Sequence, residues 1–324
     1  MKITMQYGNG GRETNQLIKD LFLKYFGNRV LNRLEDAAIV RVKNEIAMTT
    51  DSFVVDPLIF NGGDIGALCV CGTANDLTMV GAKPKYLTIG FIISQNLEFD
   101  KLEEICKSIA ERAEEARVKI VAGDTKVIDG DGGLYINTSG IGFVQKRTSI
   151  AGAKDGDVVI VSGNLGDHHA AILSARMGID NNIKSDVAPL IGMVKRLWHE
   201  NVEIHALRDI TRGGLGGILN EIAVASNCEI VLNEASIPVS DDVRGLCSTL
   251  GLDPLYMGNE GKMALIVPSY EAARALEIMR EHEYGKNAFV VGLISEGKGV
   301  VVRTKVGGNR ILPQMSGDGL PRIC

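Results

Sequence analysis

Apolar and polar positions alternate along this chain in two blocks, separated by residues 145–156, which show no clear periodicity. The first block predicts a pair of strands joined by a tight turn, then two further strands rich in Ile, Thr, Phe and Val. These strands are predicted over residues 37–42, 45–50, 86–94 and 135–144. Apolar residues at helical spacing predict helices over residues 64–79 and 100–118.

The helix predicted over residues 100–118 has one apolar face and one charged face. Its apolar side chains are Leu102, Ile105, Ile109, Ala113 and Ala116. Asp100 stands in the N-cap position and Glu103 follows three residues later, which is the spacing of a capping box. The sequence therefore predicts a helix that begins at Asp100 and packs one side against a sheet.

The second block alternates strands and helices to the end of the chain. Strands are predicted over residues 158–162, 203–207, 229–232, 262–267, 288–293 and 299–304, and helices over residues 167–177, 189–200, 215–226 and 270–282. This pattern predicts an α+β protein with two mixed domains rather than one doubly wound sheet. No Gly-x-Gly-x-x-Gly motif follows the first strand, which argues against a Rossmann fold.

The predicted organisation has four parts. They are a Gly-rich segment and helix over 1–35, a first domain over 36–148, a second domain over 149–314 and a mobile tail over 315–324.

Composition excludes several classes of function. The 324 residues carry a net charge of −5 with no Lys/Arg-rich run, which argues against nucleic acid as a partner. No apolar run reaches transmembrane length and no signal peptide precedes the first domain, so we expect a cytoplasmic protein away from the membrane. With 45% apolar and 23% charged residues, the composition is typical of a soluble enzyme.

Acidic residues recur beside glycines at the ends of predicted elements. They are Asp51, Asp64, Asp76 (preceded by Asn75), Asp124 and Asp209. Any one of them alone fits a helix cap or a turn, but five together indicate a site for Mg²⁺ and a polyphosphate. Gly213 and Gly214 precede a predicted helix and would let its backbone N–H groups approach an anion. No P-loop motif is present, and residues 8–11 are a weaker candidate for a phosphate cover.

The chain ends in a thiol, Cys324, after a Gly-rich approach. The nine residues from Ser316 to Cys324 would reach roughly 30 Å when fully extended. A frayed terminus would explain a lone terminal Cys, but a thiol on such an arm would also reach different protein surfaces.

Six motifs, taken together and in order, resemble the HypE family of carbamoyl dehydratases from [NiFe]-hydrogenase maturation. This family lies within the superfamily of aminoimidazole ribonucleotide synthetase and selenophosphate synthetase. The motifs are GGDIG (62–66), CGTANDL (71–77), GDTKV (123–127), DITRGGL (209–215), NEG (259–261) and the terminal PRIC. The chain departs from the family pattern at Tyr7, where His is usual, and at His169, where a small residue is usual.

The resemblance implies a reaction on the terminal thiol. A carbamoyltransferase of the HypF type would carbamoylate Cys324, ATP would activate the carbamoyl oxygen, and loss of phosphate would leave a thiocyanate. Cyanide would then pass to iron on a scaffold of the HypC–HypD type. Glu260 is implied as the base, with Lys126 either relaying protons or neutralising phosphate charge.

The resemblance also implies the remaining site residues. Mg²⁺ would be held by Asp51, Asp76, Asp124 and Asp209, and ATP would be bound by these four together with Asp64, Asn75, Thr211, Gly213 and Gly214. ATP lies between the first domains of a homodimer in the superfamily, so we expect a dimer.

Two alternatives remain open from the sequence. Another ATP-dependent synthetase or a small-molecule kinase of the superfamily would have no use for Cys324. A non-catalytic iron chaperone would use Cys69, Cys71 and Cys324, although carboxylates suit Mg²⁺ better than iron and no further soft ligands lie near the Cys pair.

Overall fold

A computed structural model describes residues 11–17, 19, 31–34, 38–41, 45–129 and 131–315 of the protein. Residues 1–10 and 316–324 lie outside the described part, and with them the predictions for Tyr7, for residues 8–10 of the Gly-rich segment and for Cys324. A short helix α1 (Arg12–Leu17) precedes the first domain. None of the helices in the described part is both long and apolar enough to cross a membrane.

The first domain is a five-stranded mixed sheet with helices against one face. Its strands lie in the order β1-β2-β7-β5-β6, and β5 and β6 form the parallel pair. The elements are β1 (Ala38–Arg41), β2 (Glu45–Phe53), a small hairpin of β3 (Ile59–Phe60) and β4 (Gly63–Asp64), α2 (Ile65–Met79), β5 (Ala82–Ser94), α3 (Phe99–Ala116), β6 (Lys119–Ile128) and β7 (Leu134–Val144). The predicted hairpin of the first two strands is confirmed by antiparallel pairing of β1 with β2.

Helix α2 is buried on almost every side. Asp64 caps it, with Oδ1 accepting a hydrogen bond of 2.8 Å from the backbone N–H of Ala67. Every residue of α2 except Asp76 is buried. A helix that is apolar all round must be enclosed by protein, and α2 packs between the first sheet, α3 and the strand Ala206–Asp209 of the second domain. Asp76 therefore marks the one side of α2 that opens toward a site.

Helix α3 has the predicted apolar face. Ile105, Ile109, Ala113 and Ala116 are buried, and Leu102 packs partly buried beside them. The predicted cap was wrong: the helix begins at Phe99 after Glu98, so Asp100 lies in the first turn. There its carboxylate is still near the positive end of the helix dipole.

The second domain is built on a seven-stranded sheet in the order β14-β13-β10-β12-β8-β11-β9. The elements are β8 (Asp157–Val161), α4 (Asp167–Met177), α5 (Ile191–His199), β9 (Ala206–Asp209), α6 (Gly214–Ser226), β10 (Glu229–Asn233), α7 (Asp241–Leu250), β11 (Met263–Pro268), α8 (Ala272–Arg280), β12 (Phe289–Ser295), β13 (Gly299–Arg303) and β14 (Asn309–Ile311). The strands are mostly antiparallel, with β10 and β13 parallel. Two mixed domains are thus confirmed.

Contacts join the two domains at several points. The Asn75 amide of α2 bonds to the backbone of the second domain, and Tyr284 Oη donates a hydrogen bond to Glu115 at the end of α3. Strand β9 ends at Asp209 next to α2. The carboxyl end of β9 and the exposed side of α2 therefore face a common space.

Candidate active site

Carboxylates from the first domain lie together where β2 passes α2. Thr49 Oγ1 donates a hydrogen bond of 2.8 Å to Asp76 Oδ2, and a side-chain hydrogen bond joins Asp76 to Asp51. Burial raises the pKa of Asp51, and the guanidinium of Arg212 and the bond to Asp76 lower it in part. Two carboxyl groups in contact repel when both are ionised, so this pair favours a bound proton or a cation.

Asp209 approaches this pair from the second domain. Burial raises its pKa to about 6, while Arg208 lowers it and the negative charge of Asp51 raises it. Arg208 also pairs with Glu221, Nη2 to Oε2 at 3.0 Å, so its charge is shared. Asp209 therefore adds a third acidic group to a site with too little fixed positive charge.

Glu260 completes the acidic cluster. Burial raises its pKa well above the ordinary range, with further increases from the charges of Asp209, Asp186 and Asp51, and Arg212 opposes the shift. The loop that carries it is fixed on both sides. Asn259 N–H donates to the Ile210 carbonyl at 2.9 Å, and Asn259 Oδ1 accepts from the N–H of Gly166 at 2.8 Å.

The turn after β9 places the start of α6 beside the cluster. Gly213 and Gly214 both have positive φ, 82° and 61°, and the Gly214 N–H donates to the Thr211 carbonyl at 3.0 Å. A Cβ on Gly214 would lie 2.5 Å from the carbonyl carbon of Tyr256, so no larger residue fits there. The turn therefore presents the amino end of a 13-residue helix toward the acidic groups.

Asp124 and Lys126 lie on the other face of the first sheet. Asp124 is in register with Gly90, Asn137 and Ser52 across the strands, and successive residues of a strand face opposite sides, so Asp124 and Asp51 point away from each other. Both side chains are exposed, at 70% and 68%, and they pair with Nζ to Oδ2 at 3.0 Å. Within one chain they do not join the cluster. The sequence context suggested that Asp124 follows a strand, but in the structure Asp124 lies inside β6.

The similarity to known proteins runs over the whole chain. Residues 34–144 match the family described as AIR synthase related protein, N-terminal domain, and residues 154–305 match its C-terminal domain. The chain belongs to the HypE family. The carbamoyl dehydratase HypE of Azotobacter vinelandii is 44% identical over 332 residues, covering 99% of this chain and 97% of the relative.

Solved structures agree with this membership. A crystal structure of the hydrogenase maturation protein HypE in complex with ATP is 43% identical, with a TM-score of 0.84 over 100% of both chains. A chain from a crystal structure of a HypE–HypF complex is 46% identical, with a TM-score of 0.88 over 92% of this chain and 99% of that one.

Two residues assigned to ATP by resemblance have other partners in the structure. Asn75 is buried, and its amide bonds to the backbone at Ala188 and Leu190, so both polar groups are already engaged. Asp64 is buried and caps α2. The structure therefore gives Asn75 a role at the domain junction and Asp64 a role in the helix.

The remaining Cys and His candidates are not arranged as metal ligands. Cys69 and Cys71 are buried in α2, two residues apart on a helix, and burial raises the pKa of both thiols. His168 is buried, with Nδ1 2.8 Å from Ser185 Oγ, and burial lowers its pKa to about 4. In the described ranges no group of three His, Cys, Asp or Glu residues stands ready to hold a metal. The burial of both thiols inside α2 counts against iron binding at the Cys pair.

Sequence reasoning missed two residues that shape the site. Arg212 lies within the quoted DITRGGL motif, and its charge lowers the pKa of Asp51 and of Glu260. Asp186 lies outside every motif, yet Oδ1 accepts a 3.0 Å hydrogen bond from the backbone N–H of Glu260. The DITRGGL motif could have signalled Arg212, but no local pattern signals Asp186.

Proposed function

We propose that this protein is a carbamoyl dehydratase that uses ATP to convert an S-carbamoyl group on its own Cys324 into a thiocyanate. The observation that carries the proposal is the cluster of Asp51, Asp76, Asp209 and Glu260, drawn from both domains of a chain similar to HypE over its full length. The terminal thiol supplies the group on which that cluster would act.

The residues present fit a magnesium ion. Asp51, Asp76 and Asp209 offer only oxygen atoms, which suit a hard divalent cation, but in the described part of one chain they do not close into a three-ligand group, so the ATP phosphates would supply the remaining oxygen ligands. Burial raises the pKa of Asp51 and of Asp209 by more than Arg212 and Arg208 lower them, so a bound cation would stabilise the ionised carboxylates. Bound there, the ion would neutralise the charge of the ATP phosphates. The phosphates would also meet the N–H groups at the start of α6, near Gly213 and Gly214.

The reaction balances with ATP as the activating substrate. The carbamoyl oxygen attacks the γ-phosphorus and ADP leaves, which turns a poor leaving group into phosphate. Two N–H protons are then removed, the C–O bond breaks, and the nitrile of Cys–S–C≡N forms. The net change at Cys324 is the loss of one water.

Glu260 is the base in this scheme. Its raised pKa makes the ionised carboxylate a better proton acceptor than an exposed Glu, and its backbone is held rigidly beside Asp209. Arg212 favours the ionised form through its positive charge. The carboxylate of Glu260 would take one proton from the carbamoyl nitrogen, and the phosphate would take the second as the C–O bond breaks.

Asp124 and Lys126 would act on the site of a second copy of the chain. They lie on an exposed sheet face that also carries large apolar side chains, including Met48, Ile92 and Tyr135, at 40% to 44% exposure. Contiguous apolar area of this kind marks protein contact surfaces. In a homodimer that sets this face of one chain beside the acidic cluster of its partner, Asp124 would add a magnesium ligand to that cluster, and Lys126 would meet the phosphates or relay a proton.

Two partners follow from the reaction. A carbamoyltransferase of the HypF type would load Cys324, which the similarity to HypE from a HypE–HypF complex supports. An iron scaffold of the HypC–HypD type would accept the cyanide. Both must reach the same sulfur, which explains a thiol at the end of the chain. We also place the reaction in the cytoplasm.

Mass spectrometry of the intact protein tests the proposal. Cyanate converts Cys324 into its carbamoyl adduct, and Cys106, the exposed thiol in the described part of the chain, is first changed to Ser. Mg-ATP should remove about 18 Da from the adduct on the C-terminal peptide, and ADP should not. An adduct that persists while ATP binds would instead favour a synthetase or a kinase. A Cys324→Ala control should show no adduct on that peptide.

A further inference from the structure

Residues 183–190 run between the two domains without forming a helix or a strand. The first domain holds this segment, here called the bracket, at two points. Asn61 donates from Nδ2 to the Ile183 carbonyl at 2.9 Å, and the Ser185 N–H donates to the Asn61 carbonyl at 2.8 Å. A buried connecting segment must satisfy its backbone polar groups, and these two bonds do so for the Ile183 carbonyl and the Ser185 N–H.

Asn75 makes the second attachment of the bracket to the first domain. Its Nδ2 donates to the Ala188 carbonyl at 3.0 Å, and its Oδ1 accepts from the Leu190 N–H at 2.8 Å. The side chain is buried, so both bonds are shielded from water. Asn75 directly precedes Asp76, and the bracket is therefore tied to the residue next to a proposed magnesium ligand.

The other side of the bracket holds Glu260. Asp186 Oδ1 accepts from the Glu260 N–H at 3.0 Å, and the Glu260 carbonyl accepts from the Ala188 N–H at 3.4 Å. The backbones touch at the next residue, since a Cβ on Gly261 would lie 1.9 Å from the Asp186 carbonyl oxygen. Both backbone polar groups of Glu260 are thus bound by residues of the bracket.

Asp186 keeps its charge compensated while it holds Glu260. Its side chain is only 3% exposed, and Oδ2 lies 3.2 Å from Nζ of Lys262, whose side chain is 11% exposed. A buried carboxylate without such a partner would be costly. Oδ1 is consequently free to accept from Glu260, and the two oxygens of Asp186 have separate functions.

We propose that Asp186 is a positioning residue that sets the place of Glu260 in the site, with the bracket transmitting the position of α2 to Glu260 through Asn75. The inference rests on the proposed function, in which Glu260 removes a proton from the substrate. Displacing a reacting group by about 1 Å costs on the order of 100-fold in rate. Without the bond between the Glu260 N–H and Asp186, the bracket would hold the backbone polar groups of Glu260 only through the Ala188 N–H.

Three substitutions in a Cys106→Ser background separate positioning from stability. Asp186→Ala removes the acceptor for Glu260 and the partner of Lys262. Asp186→Asn keeps a carbonyl oxygen that accepts from Glu260 and removes only the charge. Lys262→Met breaks the ion pair and leaves the bond to Glu260. The single-turnover rate of water loss from the cyanate-carbamoylated protein is measured by mass, together with Mg-ATP affinity by calorimetry and melting temperature.

If Asp186 positions Glu260, Asp186→Ala should slow the water loss on the order of 100-fold. The rates of Asp186→Asn and Lys262→Met should stay within about fivefold of the parent rate. Mg-ATP affinity should stay within about twofold in all three. Equal rate losses in Asp186→Ala and Lys262→Met would overturn the proposal, because the ion pair and not the backbone bond would then matter. A rate in Asp186→Ala within about threefold of the parent would do the same.

Two controls keep the result decisive. Where Asp186→Ala does not fold, Asp186→Ser replaces it, since its shorter side chain cannot span the distance to the Glu260 N–H, and the same rate criteria apply. If the parent protein itself shows no water loss, the proposed function fails. If the parent and Glu260→Gln differ but Asp186→Ala matches the parent, only the positioning proposal fails.

Discussion

Thr49 donates a hydrogen bond of 2.8 Å to Oδ2 of Asp76, which ties a strand of the first sheet to the one side of α2 that is not buried. The bond fixes the Asp76 carboxylate beside Asp51. A side chain fixed in this way loses little conformational entropy when it binds a cation. Asp76 is therefore the residue of α2 that we propose to contact the bound nucleotide.

Substitution of Asp76 should therefore weaken Mg-ATP binding. Asp76→Asn removes a ligand charge and should lower the affinity at least tenfold, about 1.4 kcal/mol. Thr49→Val, which keeps the shape and removes only the hydrogen bond, should cost about 1 kcal/mol or less. Calorimetry with and without Mg²⁺ measures both. Unchanged Mg-ATP affinity in Asp76→Asn would remove this residue from the site.

Asp209 should make the folded protein less stable as the pH rises. Its folded pKa of about 6 lies above the ordinary 3.8, so the folded state binds this proton more tightly than the unfolded chain does. The free energy of unfolding then falls as the pH rises from about 4 to about 6. Asp209→Asn should be more stable than the parent at about pH 8, on the order of 1 kcal/mol, and equal at about pH 4.5.

Urea unfolding at the two pH values checks the prediction for Asp209. The same variant should lose Mg-ATP affinity, because the amide is a poor replacement for a carboxylate ligand. Lower stability of Asp209→Asn at the higher pH would show that the charge is compensated in the folded protein. A gain in stability without loss of binding would place Asp209 outside the magnesium site.

The contact between Tyr284 and Glu115 should stabilise the domain junction without affecting the chemistry. Tyr284 Oη donates to Glu115, which also pairs with Arg112 at 2.6 Å. Tyr284→Phe keeps the ring and should lower the free energy of unfolding by about 1 kcal/mol. Water loss from the Cys324 adduct should be unchanged. A large loss of activity would mean that the relative position of the domains depends on this bond.

The position of Lys126 on the far face of the sheet predicts complementation between two inactive variants. In a twofold dimer, a Lys126→Ala chain paired with a Glu260→Gln chain has one site with both residues intact. Coexpression of the two should restore about a quarter of the wild-type activity. No recovery, in a mixture shown by mass to contain mixed dimers, would place Lys126 in the same site as Glu260 of its own chain.

Elements could be predicted from the sequence where the pattern of apolar residues within one segment is sufficient to define them. The apolar face of α3 was visible because Ile105, Ile109 and Ala113 follow helical spacing. Asp64 was interpreted either as a helix cap or as part of the nucleotide site, and in the structure it caps α2. The family motifs also named Asp51, Asp76 and Asp209, whose side chains lie near one another in the structure, while their part in binding ATP stays a prediction.

The missed features depend on contacts between distant segments. Strand β6 is an exposed edge whose residues do not alternate in polarity, so its full extent was not predicted and Asp124 was placed at the end of an element instead of inside one. Helix α7 was not predicted, since only Val243, Leu246 and Cys247 of its ten residues are buried. The bracket could not be predicted because it binds Glu260 mainly through backbone groups, which every residue carries.

The most direct test of the account compares wild type with Glu260→Gln in a single turnover. Both proteins are carbamoylated at Cys324 with cyanate, mixed with Mg-ATP and followed by intact mass, with ATP affinity measured in parallel. Wild type should lose about 18 Da and Glu260→Gln should lose no mass, although both proteins should bind ATP. Water loss at the wild-type rate in Glu260→Gln would contradict the account.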